Sequence, residues 1–330
     1  MTRNLSQLND YIRQESAFVR PLLAEIGRVI VGQDRLIHRL LIALLSDGHI
    51  LIEGVPGLAK TLTVRTLAAT LHAKFQRIQF TPDLLPSDVV GTQIYNQASQ
   101  TFVPRLGPIF ANLVLADEIN RAPAKVQSAL LECMEERQVS IGDETYPLAT
   151  PFMVLATQNP IEQEGTYPLP EAQLDRFMLK VIIAYPKREE ERLVIDRMSA
   201  RKPDAPKPML EADTLQRAKQ AIHEIYVDEK IKDYVLDIIQ ATRKLSDVGA
   251  LKKLQPFIEI GASPRATLAL IKAAKANAFL QGRGYVTPDD VKSIVPDVLR
   301  HRIVLTFEAQ AEAITTQQLI LQILKQVEVP

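Results

Sequence analysis

Short apolar runs alternate with amphipathic stretches along the first two thirds of the chain. The apolar runs predict buried strands at His49–Ile52, Phe75–Phe80, Asn112–Ala116 and Phe152–Thr157. The stretches between them carry apolar residues at helical spacing, which predicts helices at Thr61–Leu71 and Ala124–Glu136. Regular alternation of strands and helices is typical of an α/β fold with a parallel sheet and helices on both faces.

Two segments with period-two alternation depart from this order and predict hairpins. Ile94-Tyr95 and Phe102-Val103 flank one polar turn, and Val139–Ile141 and Tyr146–Leu148 flank another. Pro147 cannot donate a ladder hydrogen bond, so we expect it on an edge. Hairpins that project from an α/β core often contact a partner or substrate, although simple connecting loops explain the same pattern.

The composition changes after Tyr185-Pro186, and a proline-rich stretch at 201–208 predicts a linker. Beyond it, strand signals largely disappear and helical patterns cover 212–224, 228–245, 264–280, 288–300 and 308–327. Ser263-Pro264 and Thr287-Pro288 each place a capping residue before a proline at the first helical position. We therefore expect an N-terminal helical segment (1–28), an α/β core (29–200), a linker (201–208) and an all-helical domain (209–330).

A glycine-bearing loop, Gly54–Lys60, joins the first strand to a helix and has the chemistry to hold phosphates. Gly54 and Gly57 leave the backbone N–H groups open to an anion, and the helix N-terminus adds partial positive charge. Lys60 can reach the β- and γ-phosphates, and the Thr61 hydroxyl can help to hold Mg²⁺. Ala59 occupies the place where this motif normally has its second glycine, and a strand–turn–helix with a solvated lysine is the alternative interpretation.

Polar residues follow two further strands. Asp117 and Glu118 end an apolar strand, where Asp117 could hold Mg²⁺ through its waters and Glu118 could act as general base on an attacking water. A solvated acidic turn is the alternative. Asn159 follows Phe152–Thr157 and could orient that water or the γ-phosphate, or it could cap a turn before Pro160.

Two arginines are further candidates. Arg176 lies near the end of a short predicted helix in the segment Glu171–Phe177. Its guanidinium suits a γ-phosphate, although a surface pair with Asp175 is the simpler interpretation. Arg265 lies in the first turn of a helix, where the dipole disfavours a cation, so a nearby anion would explain it.

The bulk composition limits the classes of function. Lys+Arg and Asp+Glu are both 39, so the formal net charge is zero, which argues against a dominant nucleic-acid or anionic-membrane partner. The single cysteine, Cys133, lies in an apolar helical pattern and is expected to be a core residue. The chain has no signal-peptide pattern at its N-terminus and no run long enough for a membrane span, so we expect a cytoplasmic protein.

Taken together, these motifs resemble the AAA+ ATPases and, within them, the MoxR family. The resemblance covers the chain from about Ile30 onward and includes an alanine at the position of Ala59. The matching segments are Gly54–Thr61, Leu115–Ala122, Ala156–Pro160, Pro170–Phe177 and Gly261–Arg265.

The resemblance implies roles for individual residues. It assigns Lys60 and Thr61 to Walker A, Asp117 and Glu118 to Walker B, Asn159 to sensor 1, Arg176 to the arginine finger and Arg265 to sensor 2. The catalytic set is then Glu118, Asn159, Arg176 and Arg265, and the magnesium ligands are Thr61 and Asp117. The ATP-binding residues are Val31, Gly32, Gln33, Gly54, Val55, Pro56, Gly57, Leu58, Ala59, Lys60, Thr61, Leu62 and Arg265. The insert at 92–104 matches the family's helix-2 insert, and the hairpin at 138–148 matches the one before sensor 1. Arg121 has a weaker match to a residue that faces a neighbouring subunit, and residues 1–28 match nothing assignable.

The resemblance further implies a homo-oligomeric ring, commonly a hexamer, with Mg²⁺–ATP at each subunit interface and Arg176 acting on the neighbour's nucleotide. Such rings remodel or activate client proteins, including insertion of metal or other cofactors, and their partners often carry a von Willebrand factor A domain. A nucleic-acid-stimulated motor is the alternative class, but the hairpin at 139–148 has Asp143 and Glu144 and no basic residue. A metabolite kinase or GTPase is a weaker third class, because the chain lacks a guanine-reading motif.

Overall fold

The computed structural model describes residues 4–161, 165–200, 204–243 and 249–330. The chain divides into two compact units. A core unit comprises residues 20–177 and 181–212, and a helical unit comprises residues up to 19, 178–180 and 213 to the C-terminus. No helix in the described ranges is both long enough and apolar enough to cross a bilayer.

A five-stranded sheet carries the predicted strands. Its spatial order is β2-β5-β8-β1-β9. β2 pairs with β5, β5 with β8, and β8 with β1, all in parallel. All five residues of β5 and five of the six in β8 are buried, as expected for central strands covered on both faces. The strands are β1 (Ile50–Glu53), β2 (Phe75–Gln79), β5 (Leu113–Asp117), β8 (Met153–Gln158) and β9 (Leu179–Ile182).

Helices complete the core unit. α6 packs Leu130 and Met134 into the same apolar cluster as Val114 and Val154 of the sheet. Cys133 of α6 is also in this cluster, which confirms its prediction as a core residue. The helices are α2 (Val19–Val29), α3 (Asp34–Leu45), α4 (Lys60–Thr70), α5 (Pro86–Val90), α6 (Ala124–Glu136), α7 (Glu171–Leu174) and α8 (Arg188–Ala200).

Both predicted hairpins are present. β3 (Gly91–Asn96) pairs with β4 (Thr101–Leu106), and β6 (Gln138–Ile141) pairs with β7 (Glu144–Pro147). The Gln93 side chain lies over Gly142, at a point where any Cβ would collide with it. The flexible Gln93 side chain could move aside, but Gly142 has a φ of +65°, so its backbone conformation favours glycine where the two hairpins meet.

The second unit is helical, as predicted, and contains one short strand pair that the sequence pattern did not indicate. β10 (Ile258–Ile260) pairs with β11 (Val304–Leu305) in antiparallel orientation. Ser263 and Thr287 cap helices through their side chains, as expected from the Ser-Pro and Thr-Pro pairs. The helices are α1 (Leu5–Glu15), α9 (Ala212–Glu224), α10 (Glu229–Ala241), α11 (Pro264–Leu280), α12 (Pro288–Leu299), α13 (Phe307–Ala311) and α14 (Thr316–Gln326), with a 3₁₀ segment at Gly249–Phe257.

The prediction of one continuous helix over 308–327 was wrong, because the structure has two helices there, α13 and α14. The chain leaves helical geometry between α13 and α14, where Ala313 has a φ of +54°. Thr315 then starts α14 with a capping box to Gln318. The predicted helix at 228–245 ends at Ala241, and residues 244–248 lie outside the described ranges.

The N-terminal segment is shared between the two units. α1 belongs to the helical unit, where its Leu8 and Ile12 are buried and the Asn9 Oδ1 accepts a 2.7 Å hydrogen bond from the Gly284 N–H. α2 belongs to the core unit from residue 20 onward.

The proline-rich stretch lies against α2. The Lys207 N–H donates to Glu25 Oε1 at 2.8 Å, and Arg28 Nη2 donates to the Ala205 carbonyl at 3.1 Å. Of the predicted linker, residues 201–203 lie outside the described ranges, and the rest belongs to the core unit.

Candidate nucleotide-binding site

The phosphate-loop candidate lies between β1 and α4. Gly57 has a φ of +85°, and Ala59 has a φ of +55° immediately before α4 begins at Lys60. The Lys60 Nζ donates a 2.6 Å hydrogen bond to the Gly54 carbonyl, so the lysine reaches back across the loop. Burial lowers the pKa of Lys60, and the charges of Asp117 and Glu118 act in the opposite direction. The loop, the lysine and both acids therefore belong to one electrostatic site.

Asp117 is the last residue of β5 and is nine-tenths buried. Its Oδ1 accepts a 2.6 Å hydrogen bond from Thr157 Oγ1 of β8. Its Oδ2 accepts from Nε and Nη2 of Arg77 on β2, at 2.9 and 2.7 Å. The carboxylate is thus fixed by the strands on both sides of β5.

Glu118 follows with a left-handed backbone, at a φ of +58°. Its N–H donates to Thr157 Oγ1 at 2.8 Å, and its Oε2 accepts from Gln79 Nε2 at 2.9 Å. Arg121 Nη1 lies 3.1 Å from the same Oε2. Arg121, which the sequence left as a weak candidate for contact with a neighbouring subunit, thus pairs with Glu118 of its own chain.

Asn159 follows β8, beside the phosphate loop. β8 pairs with β1, and the Gly54 N–H donates to the Gln158 carbonyl at 3.2 Å. Asn159 is buried, and its Oδ1 accepts a 3.2 Å hydrogen bond from the Ile161 N–H. This is the turn-capping role that was the alternative for this residue, and it uses the amide oxygen rather than the NH₂ group.

The segment expected beside the adenine, Val31–Gln33, precedes α3. Gly32 and Gln33 both have left-handed backbones, with φ of +65° and +60°. A Cβ on Gly32 would lie 2.8 Å from the carboxyl group of Glu190, so α8 approaches this segment closely.

Arg176 makes its contacts with α6. Its Nη1 forms a 2.7 Å ion pair with Glu135 Oε2 and donates to the Leu131 carbonyl at 2.9 Å. A cavity of about 320 Å³ opens at this point and is lined by Ser128, Leu131, Glu132, Glu135, Glu136, Gln173 and Arg176.

Arg265 lies in the first turn of α11, and its backbone N–H donates to the capping Ser263 Oγ at 3.2 Å. It belongs to the helical unit, whereas the phosphate loop belongs to the core unit.

The donor atoms near the loop fit a magnesium ion. Thr61 supplies a hydroxyl and Asp117 a carboxylate, and hard oxygen ligands of this kind, completed by phosphates and water, are what Mg²⁺ prefers. No group of three or more His, Cys, Asp or Glu side chains forms a metal site in the described residues.

Sequence reasoning missed three residues that contact the acids, namely Arg77, Gln79 and Thr157. A signal was present for the first two, because Arg77 and Gln79 alternate with the apolar Ile78 and Phe80 and so share one face of β2. Their register partners on β5 are Leu115 and Asp117. Thr157 gave no signal, because a threonine inside an apolar run is ordinary in a strand.

A parallel sheet of this order, a phosphate loop after β1 and an acid pair after β5 define the class of AAA+ ATPases. Residues 49–179 match the ATPase family associated with various cellular activities (AAA), and residues 253–323 match the AAA lid domain. A crystal structure of a candidate ATPase from Cytophaga hutchinsonii superposes with a TM-score of 0.91 at 49% identity, covering 98% of both chains.

Two curated relatives narrow the class. The chain is 52% identical to Chaperone MoxR1 of Mycobacterium tuberculosis, over 93% of this chain and 81% of that protein. It is 30% identical to Protein MoxR of Methylorubrum extorquens, over 85% of this chain and 86% of that protein. The chain belongs to the MoxR family of AAA+ ATPases.

Proposed function

We propose that this chain is a Mg²⁺-dependent ATPase that works as a ring and remodels or activates client proteins. One observation carries the proposal: the phosphate loop follows β1 and the two acids end β5, with only β8 between these parallel strands, while Arg176 is bonded to α6. Within this site Lys60 serves the phosphates, and Arg77 and Arg121 each form an ion pair with one of the acids, so a further cation is needed to neutralise the transferring phosphoryl group. A second copy of the chain is the simplest source of that cation.

In this proposal the loop Gly54–Ala59 and α4 hold the phosphates through backbone N–H groups and the helix N-terminus. Lys60 exchanges the Gly54 carbonyl, which it contacts at 2.6 Å, for the β- and γ-phosphates. Thr61 and Asp117 would hold Mg²⁺, which would neutralise charge on the phosphate oxygens. Val31, Gly32 and Gln33 lie beside the base.

Glu118 takes a proton from the attacking water. Its backbone is fixed by the Thr157 hydroxyl, and its carboxylate is oriented by Gln79. Fixed orientation favours general-base catalysis, because the carboxylate must lie within hydrogen-bond reach of the water. The NH₂ group of Asn159 is the donor that could orient this water or the γ-phosphate.

Arg176 acts on the nucleotide of a neighbouring protomer. Its side chain is 32% exposed, and its partner Glu135 is 40% exposed. Ion pairs at this exposure contribute about 0–1 kcal/mol, so the arginine can leave Glu135 at little cost when a more negative phosphate is presented. Arg265 acts from the helical unit of the same chain and links hydrolysis to movement of that unit.

The hairpin β3–β4 supports a client-binding role. Ile94, Tyr95 and Phe102 are all largely exposed, and the two aromatic rings pack edge to face across the strands, with centroids 5.4 Å apart. Exposed aromatic side chains on a projecting ribbon are enriched at protein-binding surfaces. Proteins with a von Willebrand factor A domain, or enzymes that require insertion of a metal or another cofactor, are the first clients to test.

A capture experiment tests the chaperone role. The Glu118→Gln protein, loaded with ATP, should retain a candidate client that the ADP-loaded protein releases. Adding Tyr95→Ser and Phe102→Ser should abolish this ATP-dependent capture, whereas Thr92→Ser on the same hairpin should not. If the client is captured equally with ATP and with ADP, and equally by the protein with and without the two hairpin substitutions, the proposal is contradicted. ATPase activity that DNA stimulates in a salt-dependent way would favour the nucleic-acid motor instead.

A further inference from the structure

The two acids at the end of β5 belong to a closed ring of hydrogen bonds. Thr157 joins the Asp117 carboxylate to the Glu118 backbone on one side. On the other side, Arg77 bonds to Asp117 and Gln79 bonds to Glu118. The ring closes because Arg77 Nη2 also donates to Gln79 Oε1, at 2.6 Å.

The hydrogen bonds at Asp117 leave one of its lone-pair positions, on Oδ1, for a metal-bound water. A carboxylate has about four lone-pair positions, two on each oxygen. Arg77 occupies both positions on Oδ2 through its Nε and Nη2, and Thr157 occupies one on Oδ1. The oxygen that Arg77 covers therefore becomes available only if the guanidinium withdraws.

The ion pair is exposed on its arginine side and nearly buried on its aspartate side. The Arg77 side chain is 49% exposed, whereas that of Asp117 is 13% exposed. A nearly buried carboxylate still needs a counter-charge, and Arg77 supplies one that can move away toward solvent.

We propose that Arg77 is the resident counter-cation of Asp117, and that it competes with a divalent cation for this carboxylate when nucleotide binds. Arg77 is thus a positioning residue that sets the concentration of free Mg²⁺ at which the site loads. The hydrogen bond from Arg77 to Gln79 can hold the guanidinium near the site after it leaves Asp117, so the displacement is local and reversible. The inference rests on the proposed function, because it takes Asp117 as the metal-facing acid.

The test measures metal dependence rather than turnover. Binding of a fluorescent, non-hydrolysable ATP analogue is titrated with Mg²⁺ for the wild type, Arg77→Gln and Arg77→Lys. Direct binding of Mn²⁺, followed by its paramagnetic resonance signal in the presence of the analogue, gives a second readout. Arg192→Gln, which removes an exposed arginine on α8, is the matched control.

We expect Arg77→Gln to lower the metal midpoint by about two- to fivefold, because the metal no longer competes with the guanidinium for the carboxylate. Nucleotide binding in excess EDTA should stay at the wild-type level, and Arg192→Gln should match the wild type throughout. Arg77→Lys keeps the charge but loses the two-donor fork, so its midpoint should fall between the other two.

An unchanged or raised midpoint in Arg77→Gln would overturn the inference and leave the proposed function intact. If Arg77→Gln does not fold, the metal midpoint of Arg77→Lys is the test. A midpoint equal to that of the wild type in Arg77→Lys would then contradict the inference. If the wild type itself binds nucleotide without any metal dependence, the role of Asp117 fails, and the proposed function with it.

Discussion

The guanidinium of Arg176 and the carboxylate of Glu135 form an ion pair across 2.7 Å on the surface of α6. The pair keeps the candidate arginine finger on its own protomer, bonded also to the Leu131 carbonyl. The arginine that the proposed chemistry needs is therefore bonded to α6 of its own chain.

Removing this arginine should impair catalysis far more than folding. Arg176→Ala should lower the ATP turnover rate by about 10³-fold, the scale of an arginine finger in phosphoryl transfer. It should change the free energy of unfolding by less than about 1 kcal/mol, because the lost pair is partly exposed. Steady-state phosphate release and denaturant unfolding check the two effects.

Glu135→Gln is the matched control, because it breaks the same ion pair and leaves the arginine in place. It should hydrolyse ATP at close to the wild-type rate. An equal loss of ATPase activity in Arg176→Ala and Glu135→Gln would mean that the ion pair has a structural role. Arg176 would then not act as an arginine finger.

Glu118→Gln should separate nucleotide binding from hydrolysis. Glutamine can still accept the hydrogen bond from Gln79, but it cannot take a proton from water. We expect the turnover rate to fall by about 10²–10⁴-fold, with nucleotide affinity close to that of the wild type. Lys60→Ala, in contrast, should lose affinity itself, and equilibrium binding of a fluorescent ATP analogue distinguishes the two.

The core unit should become less stable in mild acid because of His49. Its Nδ1 accepts from the Val154 N–H at 2.9 Å and its Nε2 lies 3.1 Å from the Met134 carbonyl, an arrangement that suits the neutral ring. Burial lowers the pKa of His49 to about 4. An unfolded histidine has a pKa of about 6.5, so the unfolded state binds the extra proton between the two values.

The contribution of His49 to stability should therefore be complete above about pH 6.5 and decline as the pH falls toward 4, by about 3 kcal/mol in total. Chemical unfolding at pH 7.5 and pH 5 measures this slope in the wild type. His49→Asn removes the titrating group and should flatten the dependence. If the free energy of unfolding of His49→Asn depends on pH as steeply as that of the wild type, residues other than His49 cause the acid sensitivity.

Cys133 should be unreactive in the folded protein. It is buried in α6, and burial, assisted by the charge of Glu132, raises the pKa of its thiol to about 12. Since only the thiolate reacts, a thiol reagent at pH 8 should modify the folded chain very slowly and the urea-unfolded chain with one equivalent. Rapid stoichiometric labelling of the folded protein would contradict this.

Much of the fold could be predicted because its signals are local. α6 begins and ends at the predicted residues, and the two proline-preceded caps of the helical unit form as expected. Buried strands such as β5 and β8 are continuous apolar runs between polar loops, a pattern that the sequence shows directly.

The features that were missed depend on residues distant in sequence or on a single backbone angle. β10 and β11 are very short, and their residues lie more than forty positions apart in the sequence. Neither strand is long enough to show the alternation of apolar and polar residues that predicts a strand. The break before α14 depends on the left-handed backbone of Ala313, although alanine favours helices.

In the candidate site, too, the local motifs could be predicted from the sequence and the contacts between distant residues could not. The phosphate loop and the acid pair are contiguous motifs and could be recognised from the sequence alone. Arg77 and Gln79 meet these acids only because β2 is the parallel neighbour of β5, a pairing that the strand pattern does not specify. The partner that holds Arg176 is a residue of α6, forty-one positions earlier in the chain.

The central claim, that each nucleotide site is completed by the neighbouring protomer, is tested most directly by mixing two inactive proteins. Glu118→Gln lacks the general base but keeps Arg176, and Arg176→Ala lacks the finger but keeps Glu118. Random assembly in equal amounts would create intact sites at about one quarter of the interfaces, so phosphate release should recover to about that fraction of the wild-type rate. If the mixture, in rings verified to contain both variants, hydrolyses ATP no faster than the separate proteins, the sites are not shared in this way.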